Sequence, residues 1–248
     1  MTVTDAPAPL PWLDERGLER VLCVAAHPDD LEYGTAAAVA RWRAAGIEVS
    51  YLLVTRGEAG IDGLAPAEAG PVREQEERDG AREVGVDTVE FLDGYADGTV
   101  EASLTLRRDL ARVIRRHRPQ LVTSLTHHER FVGGGTNQAD HRAVGLACVD
   151  AAADAGNRWI FPELIAEGHE PWPGVGAVAL AASPVSTHAV DVTGHLDAAV
   201  RSLAAHRAYL EGLGEAAPDP EVMLGMMFEG AGAQQGVEHA VQFEVFDR

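Results

Sequence analysis

The sequence predicts an α/β fold, a largely parallel, Rossmann-like three-layer sheet with helices on both faces. Three observations carry that expectation. Short apolar runs, such as residues 21–26 and 178–182, lack the polar alternation of a half-solvated strand and read as strands buried on both faces. Longer segments with helical spacing lie between them and stop at Gly46, Gly85 and Pro119, residues that end helices. The two kinds of segment alternate along the chain, as they do in a parallel sheet built from crossovers. For 248 residues one domain over 1–248 is the economical reading, with an arm at 1–19 and a C-terminal extension at 214–248.

The elements follow in order. Residues 20–26 form the first strand. A helix rich in alanine is expected over 32–45, closed by Gly46, and a strand over 47–55. Residues 57–71, rich in Gly, Ala and Pro, read as a loop, and 72–84 as a charged helix ending at Gly85. A short strand is expected at 88–92. The next helix, 104–117, is clearer, with apolar residues at 106, 110, 113 and 114. The strand at 120–126 leads into an irregular stretch, 127–136, with three glycines. A helix over 137–153 puts Val144, Ala147, Cys148 and Ala151 on one face. Residues 156–176 read as irregular and 178–182 and 188–192 as strands. A helix over 196–210 carries the stripe Leu196, Val200, Leu203 and Leu210. The Gly- and Met-rich end closes in the alternating 241–246, read as an edge strand.

Charge narrows the partners. Twenty basic residues, all arginine, stand against 39 acidic ones for a formal charge of −19. That balance argues against nucleic acid and anionic membrane, which need basic patches, and leaves a small-molecule substrate open. No apolar run approaches the roughly 20 residues of a membrane span. The first 17 residues lack the basic start and apolar core of a signal peptide. Cys23 and Cys148 lie in apolar segments and read as buried hydrophobes, so a cytoplasmic protein is expected. Assembly into a homo-oligomer stays open.

The chemistry concentrates at Ala26-His27-Pro28-Asp29-Asp30, at the carboxyl end of the first strand, where open α/β sheets place their sites. Proline and acids at a helix start are ordinary capping, but capping does not account for the His. His27 and Asp30, three apart, share a face and make a two-ligand bite for a borderline metal such as zinc. Asp29 points elsewhere and is free to act on activated water. The other half comes from Asn137-Gln138-Ala139-Asp140-His141, again after a strand. A helix N-terminus keeps His141 neutral and able to ligate. His27, Asp30 and His141 together are a catalytic three-ligand set with a position left for water. No Gly-x-Gly-x-x-Gly follows the first strand, which weighs against a nucleotide enzyme.

These residues resemble the LmbE-like, or PIG-L-type, zinc-dependent N-acetylglucosaminyl deacetylases. The resemblance runs over roughly 20–212. It rests on 26–32, on Val54-Thr55-Arg56-Gly57-Glu58-Ala59-Gly60, on Arg73 with Glu76, on Asp97-Gly98, on 140–145, and on 191–193 with Ala205-His206. It implies zinc, with Fe2+ as the alternative in the cell, on His27, Asp30 and His141, with Asp29 as general base. Arg73 and Asp97 fall on positions that the family uses near substrate. Many members carry a His where this chain has Gln138, which can donate to an oxyanion but cannot titrate. Gln138 and Asp140 are therefore expected beside the reacting carbonyl or behind the metal. Arg56 and Glu58 are expected at the substrate mouth, or on loops with no such role.

The implied activity is hydrolysis of a C–N amide, most often deacetylation of an N-acetylated amino sugar or small glycoconjugate by zinc-activated water. Amidase action on thiol-sugar conjugates and antibiotic-tailoring deacylation are alternatives of the same chemistry. A non-catalytic binding protein on the same fold is the alternative of another class. His127 and His128 follow a strand and either approach the site or sit on the surface. His206 reads as a packed core residue and His195 as a helix-start residue.

Overall fold

The computed structural model describes residues 8–214, 217 and 219–248. Strand β1 (Arg20–Ala25) is the spine of the fold. Its side chains alternate between two cores: Val21, Cys23 and Ala25 enter one, Leu22 and Val24 the other. Burial on both faces is why the run is apolar without a break. It pairs in parallel with β2 (Glu48–Leu53) on one side and β4 (Leu121–Leu125) on the other. Strand β3 (Thr88–Phe91) adds outside β2, and β5 (Ala177–Ala181) outside β4, both parallel.

Among the described residues seven strands form one sheet in the order β3-β2-β1-β4-β5-β7-β6, where β6 is His188–Asp191 and β7 is Ala240–Asp247. Because β2 and β4 flank β1, the chain departs in opposite directions from this point. A crevice opens at such a reversal, beyond the carboxyl ends of the strands.

Helices cover both faces, as expected. On one side lie α2 (Ala36–Ala44), α3 (Pro66–Glu83), α7 (Leu196–Ala204) and α9 (Pro220–Gln235). On the other are α4 (Leu104–His117) and α5 (Ala139–Gly156). Two short helices, α1 (Asp30–Gly34) and α8 (Arg207–Gly212), flank the crevice, and α6 (Glu163–Ala166) interrupts the expected irregular stretch. The close seating of α5 depends on Gly145. A Cβ there would stand 2.4 Å from the Leu125 carbonyl oxygen and 3.1 Å from the His127 nitrogen, so only glycine lets α5 approach the end of β4.

Several expectations are corrected. Strand β7 is not an edge strand. It lies between β5 and β6, antiparallel to both, and the outermost strands among the described residues are β3 and β6. The helix expected at 72–84 begins at Pro66, whose fixed φ suits a first helical position. Pro71 inside its second turn made that stretch read as loop. The expected helix 32–45 breaks at Thr35 (φ −135°) into α1 and α2. The expected helix 196–210 breaks at His206 into α7 and α8.

Helix α9 was not expected at all, although its start is written in Asp219-Pro220. The Asp219 carboxylate accepts from the Glu221 and Val222 nitrogens, and Gly236 (φ 73°) closes the helix. The described part of the arm is not loose, since Leu13 N–H donates to Ala189 O at 2.9 Å along β6.

Candidate metal centre

His27 leaves the end of β1 and His141 lies in the first turn of α5, so the crevice beside β1 and β4 brings them together across 114 residues of sequence. His27 Nδ1 is 3.2 Å from His141 Nε2. Asp30 Oδ1 is 3.0 Å from His141 Nε2, and Asp30 Oδ2 is 3.5 Å from His27 Nδ1. These separations bracket the roughly 3.3 Å edge of a tetrahedron with bonds of about 2.0–2.1 Å. All three residues are buried, yet all three line a cavity of about 460 Å3.

The outer nitrogens decide what the inner ones offer. The Asn137 amide donates to the Thr126 and His128 carbonyls at 2.7 and 2.9 Å, which leaves its oxygen facing His141 Nδ1 at 2.9 Å. His141 must therefore carry its proton on Nδ1 and present a lone pair on Nε2. His27 Nε2 donates in the same way to Asp97 Oδ1 at 3.0 Å and Asp140 Oδ2 at 3.2 Å. Two lone pairs and a carboxylate then face one another, a donor set that could hold a metal ion. Without an ion, burial opposes charge on His27, but hydrogen bonds to Asp140, Asp30 and Asp97 lift its pKa to about 12. Burial pushes the Asp30 carboxyl up, but the two histidines hold it well below the usual carboxylate range. The donor set suits zinc or iron(II).

Asp29 is held off this triangle by its backbone. It adopts φ 82°, a left-handed conformation costly for a residue with a Cβ. Three contacts maintain it. Its N–H donates to Glu77 Oε2 at 3.1 Å, and Arg73 Nη2 donates to Pro28 O at 2.6 Å and to Asp29 Oδ2 at 3.0 Å. Asp29 lines the cavity without joining the ligand triangle. Burial raises its carboxyl to about 7 against the pull of Arg73, near the operating range of a general base.

The other expected site residues sort themselves by position. Arg73 is buried, lies over the Tyr209 ring at 4.2 Å and lines the cavity. Asp140 is turned away from the cavity, its carboxylate accepting from the Gly98 and Val100 nitrogens at 2.8 and 3.1 Å. Asp97 reaches the cavity wall but also touches His27, and Ala59 N–H donates to its second oxygen at 2.9 Å. Gln138 is exposed on the cavity wall at the start of α5, and its side chain does not cap the helix.

Arg56 and Glu58 are not in that wall, contrary to the expected substrate mouth. Arg56 is drawn to Glu74 and Asp93, each at 3.1 Å, and Glu58 accepts from the Asp97 and Arg56 nitrogens at 2.9 and 3.1 Å. His127 and His128 stack on each other at 4.6 Å, with His128 paired to Glu244, and neither lines the cavity. His206 is fully buried and packs away from the cavity, as expected of a core residue.

Sequence reasoning missed several parts of the site. Asn137 gave no signal, because its task depends on which carbonyls its amide finds. Tyr33, Phe131, Tyr209, Met223 and Met227 complete the walls. The two methionines lie on α9, whose Asp-Pro start was the readable clue.

Comparisons with known proteins identify the family. Residues 22–152, just over half of the chain, match the family model described as PIG-L: GlcNAc-PI de-N-acetylase. The diacetylchitobiose deacetylase of Thermococcus kodakarensis is 31% identical over 141 residues, covering 56% of this chain and 51% of that protein. The match thus spans only about half the length of that relative. The 1D-myo-inositol 2-acetamido-2-deoxy-alpha-D-glucopyranoside deacetylase of Rhodococcus erythropolis is 31% identical over 240 residues, covering 76% of this chain and 80% of its own. Among solved structures, the N,N'-diacetylchitobiose deacetylase from Pyrococcus horikoshii superposes with a TM-score of 0.84 at 23% identity. It covers 94% of this chain and 85% of its own length, a likeness of fold.

Proposed function

The chain belongs to the PIG-L, or LmbE-like, family, and on that footing we propose that it hydrolyses the amide of an N-acetylated amino sugar or small glycoconjugate. The observation that carries the reading is the pair of imidazole lone pairs facing Asp30 beside a carboxylate held apart. The relatives' names, which specify deacetylases of N-acetylated sugars, support the substrate class.

His27 Nδ1, His141 Nε2 and Asp30 would hold the metal, zinc by its donor set with iron(II) as the alternative in the cell. When bound, such an ion acidifies water and polarises a carbonyl. Asp29, free of the ligand triangle, takes the proton from the attacking water at its carboxylate and returns it to the departing amine. Arg73 fixes the carboxylate in line and limits how far burial raises its pKa. Gln138, on the cavity wall, donates its amide N–H to the developing oxyanion. It cannot supply a proton, so Asp29 performs both transfers. Asp140 and Asp97 hold His27 in its ligating tautomer.

The test is acetate release from a panel of N-acetylated amino sugars by zinc-loaded and iron-loaded protein. Release from at least one member, abolished by a chelator and restored by metal, is expected. Full metal occupancy with no amide cleaved across a broad panel would overturn the reading.

A further inference from the structure

The cavity at the proposed metal centre has an uncharged neighbour. Its charged groups, among them Asp29, Arg73 and Asp97, cluster around the ligand triangle. A second cavity of about 380 Å3 adjoins it and shares Tyr33, Val132, Ala182 and Met227 with the first. This second cavity lies against α9 and the first residues of β7. No residue that lines it is charged, although charged residues make up 24% of the chain.

Its walls are built to stay open. Val132 is 56% and Met227 37% exposed, apolar side chains left facing water at the rim. Val132 is not on a free loop, since its N–H donates to Ala182 O at 2.9 Å. On α9 the groove is lined by Gly230, where an added Cβ would meet nothing within 4 Å. A glycine inside a helix weakens it, and here it leaves the channel clear.

We propose that this groove is a subsite for an apolar chain on the substrate, longer than acetyl or methyl. The proposal rests on the deacylase reading above. Three features point to this occupant. The groove shares the wall formed by Tyr33, Val132, Ala182 and Met227 with the cavity at the reacting centre, it offers no charge to a sugar phosphate or carboxylate, and Met227 adapts to flexible chains. The chain enters either on the acyl carbonyl or as the aglycone of the amino sugar, and the experiment separates the two.

One arm compares N-acetyl- with N-hexanoylglucosamine. The other compares methyl with hexyl 2-acetamido-2-deoxyglucosides. A fully buried methylene is worth about fourfold, so a half-open groove should give a rise in kcat/KM of roughly tenfold or more on one arm. The responding arm identifies the source of the chain. Gly230→Leu, whose Cβ meets nothing within 4 Å, should remove most of that rise, and Met227→Asn should reduce it.

Equal or falling kcat/KM on both arms, with acetate still released from the short substrates, overturns the groove and leaves the deacylase reading intact. A rise that survives Gly230→Leu overturns its location. If no amide is cleaved at all, the deacylase reading fails. Titration calorimetry of the same four compounds on Asp29→Asn protein then decides the groove, and equal affinities for short and long chains overturn it.

Discussion

Two acid–histidine clusters sit side by side at the start of α1, and they have opposite fates. The first is His27, Asp30 and His141. The second, two residues further along the helix, is Glu32, Glu77 and His206, whose ligand atoms are also within metal-binding reach of one another. All three members of the second cluster are sealed from solvent. His206 Nε2 stands 3.6 Å from Glu32 Oε2 and 3.8 Å from Glu77 Oε2. Burial opposes charge on His206, but Glu32 and Glu77 raise its pKa to about 9. None of the three lines the cavity at the first cluster, so they differ from it in access.

In the first cluster Asn137, Asp97 and Asp140 hold the outer nitrogens, and a cavity admits an ion to the inner ones. Residue type alone therefore does not make a metal site. Outer hydrogen bonds that fix the tautomer, together with access, do so. The sealed cluster serves the open one instead, because Glu77 accepts the N–H that keeps Asp29 in its left-handed turn.

The contrast can be broken most strongly at His27. His27→Ala is expected to lose both bound metal and acetate release, read by elemental analysis and by assay on the same sample. Asp29→Asn should separate the two properties. It should keep its metal while kcat falls by about 10^2–10^4-fold, and loss of metal in this variant would contradict its place outside the ligand triangle.

Asn137→Ala tests the outer hydrogen bond. Competition with a chelator should show metal affinity reduced by about 10–100-fold, with the fold unchanged by circular dichroism. The smallest effect is expected from the sealed cluster and appears in stability. The raised His206 pKa contributes stability that is full below about pH 6.5 and fades as pH rises through about 9. Denaturant unfolding of His206→Gln should therefore lose roughly 2–3 kcal/mol at neutral pH and decline less steeply than the parent between pH 7 and 10.

Much of this was legible beforehand, for identifiable reasons. A strand buried on both faces is apolar with few breaks, so β1 was readable, as was α4 from its 3.6-residue stripe. His27 and Asp30 stand three apart in one turn, and their bite needs no distant partner. Geometry is less legible where short-range rules compete. Pro71 masked the first turns of α3, and the glycines of α9 hid a helix that Asp219 and Pro220 announced. For Arg56 and Glu58 a substrate mouth and a loop without such a role were both open, and the contacts with Glu74, Asp93 and the Asp97 backbone arise only in the fold.

The sequence by itself determined the layered α/β architecture, the candidate ligand types and the separation of Asp29 from Asp30, because each is written within one turn or one strand. Tertiary structure alone decided that Asn137 points its oxygen at His141, that β7 inserts between β5 and β6, and that α9 walls the crevice. Those outcomes depend on contacts between segments far apart in the chain, and no local period encodes which carbonyl or side chain will be waiting there. The motif His27-Pro28-Asp29-Asp30 supplies the donors, and the packing of α5, α3 and α9 around it determines what they can hold.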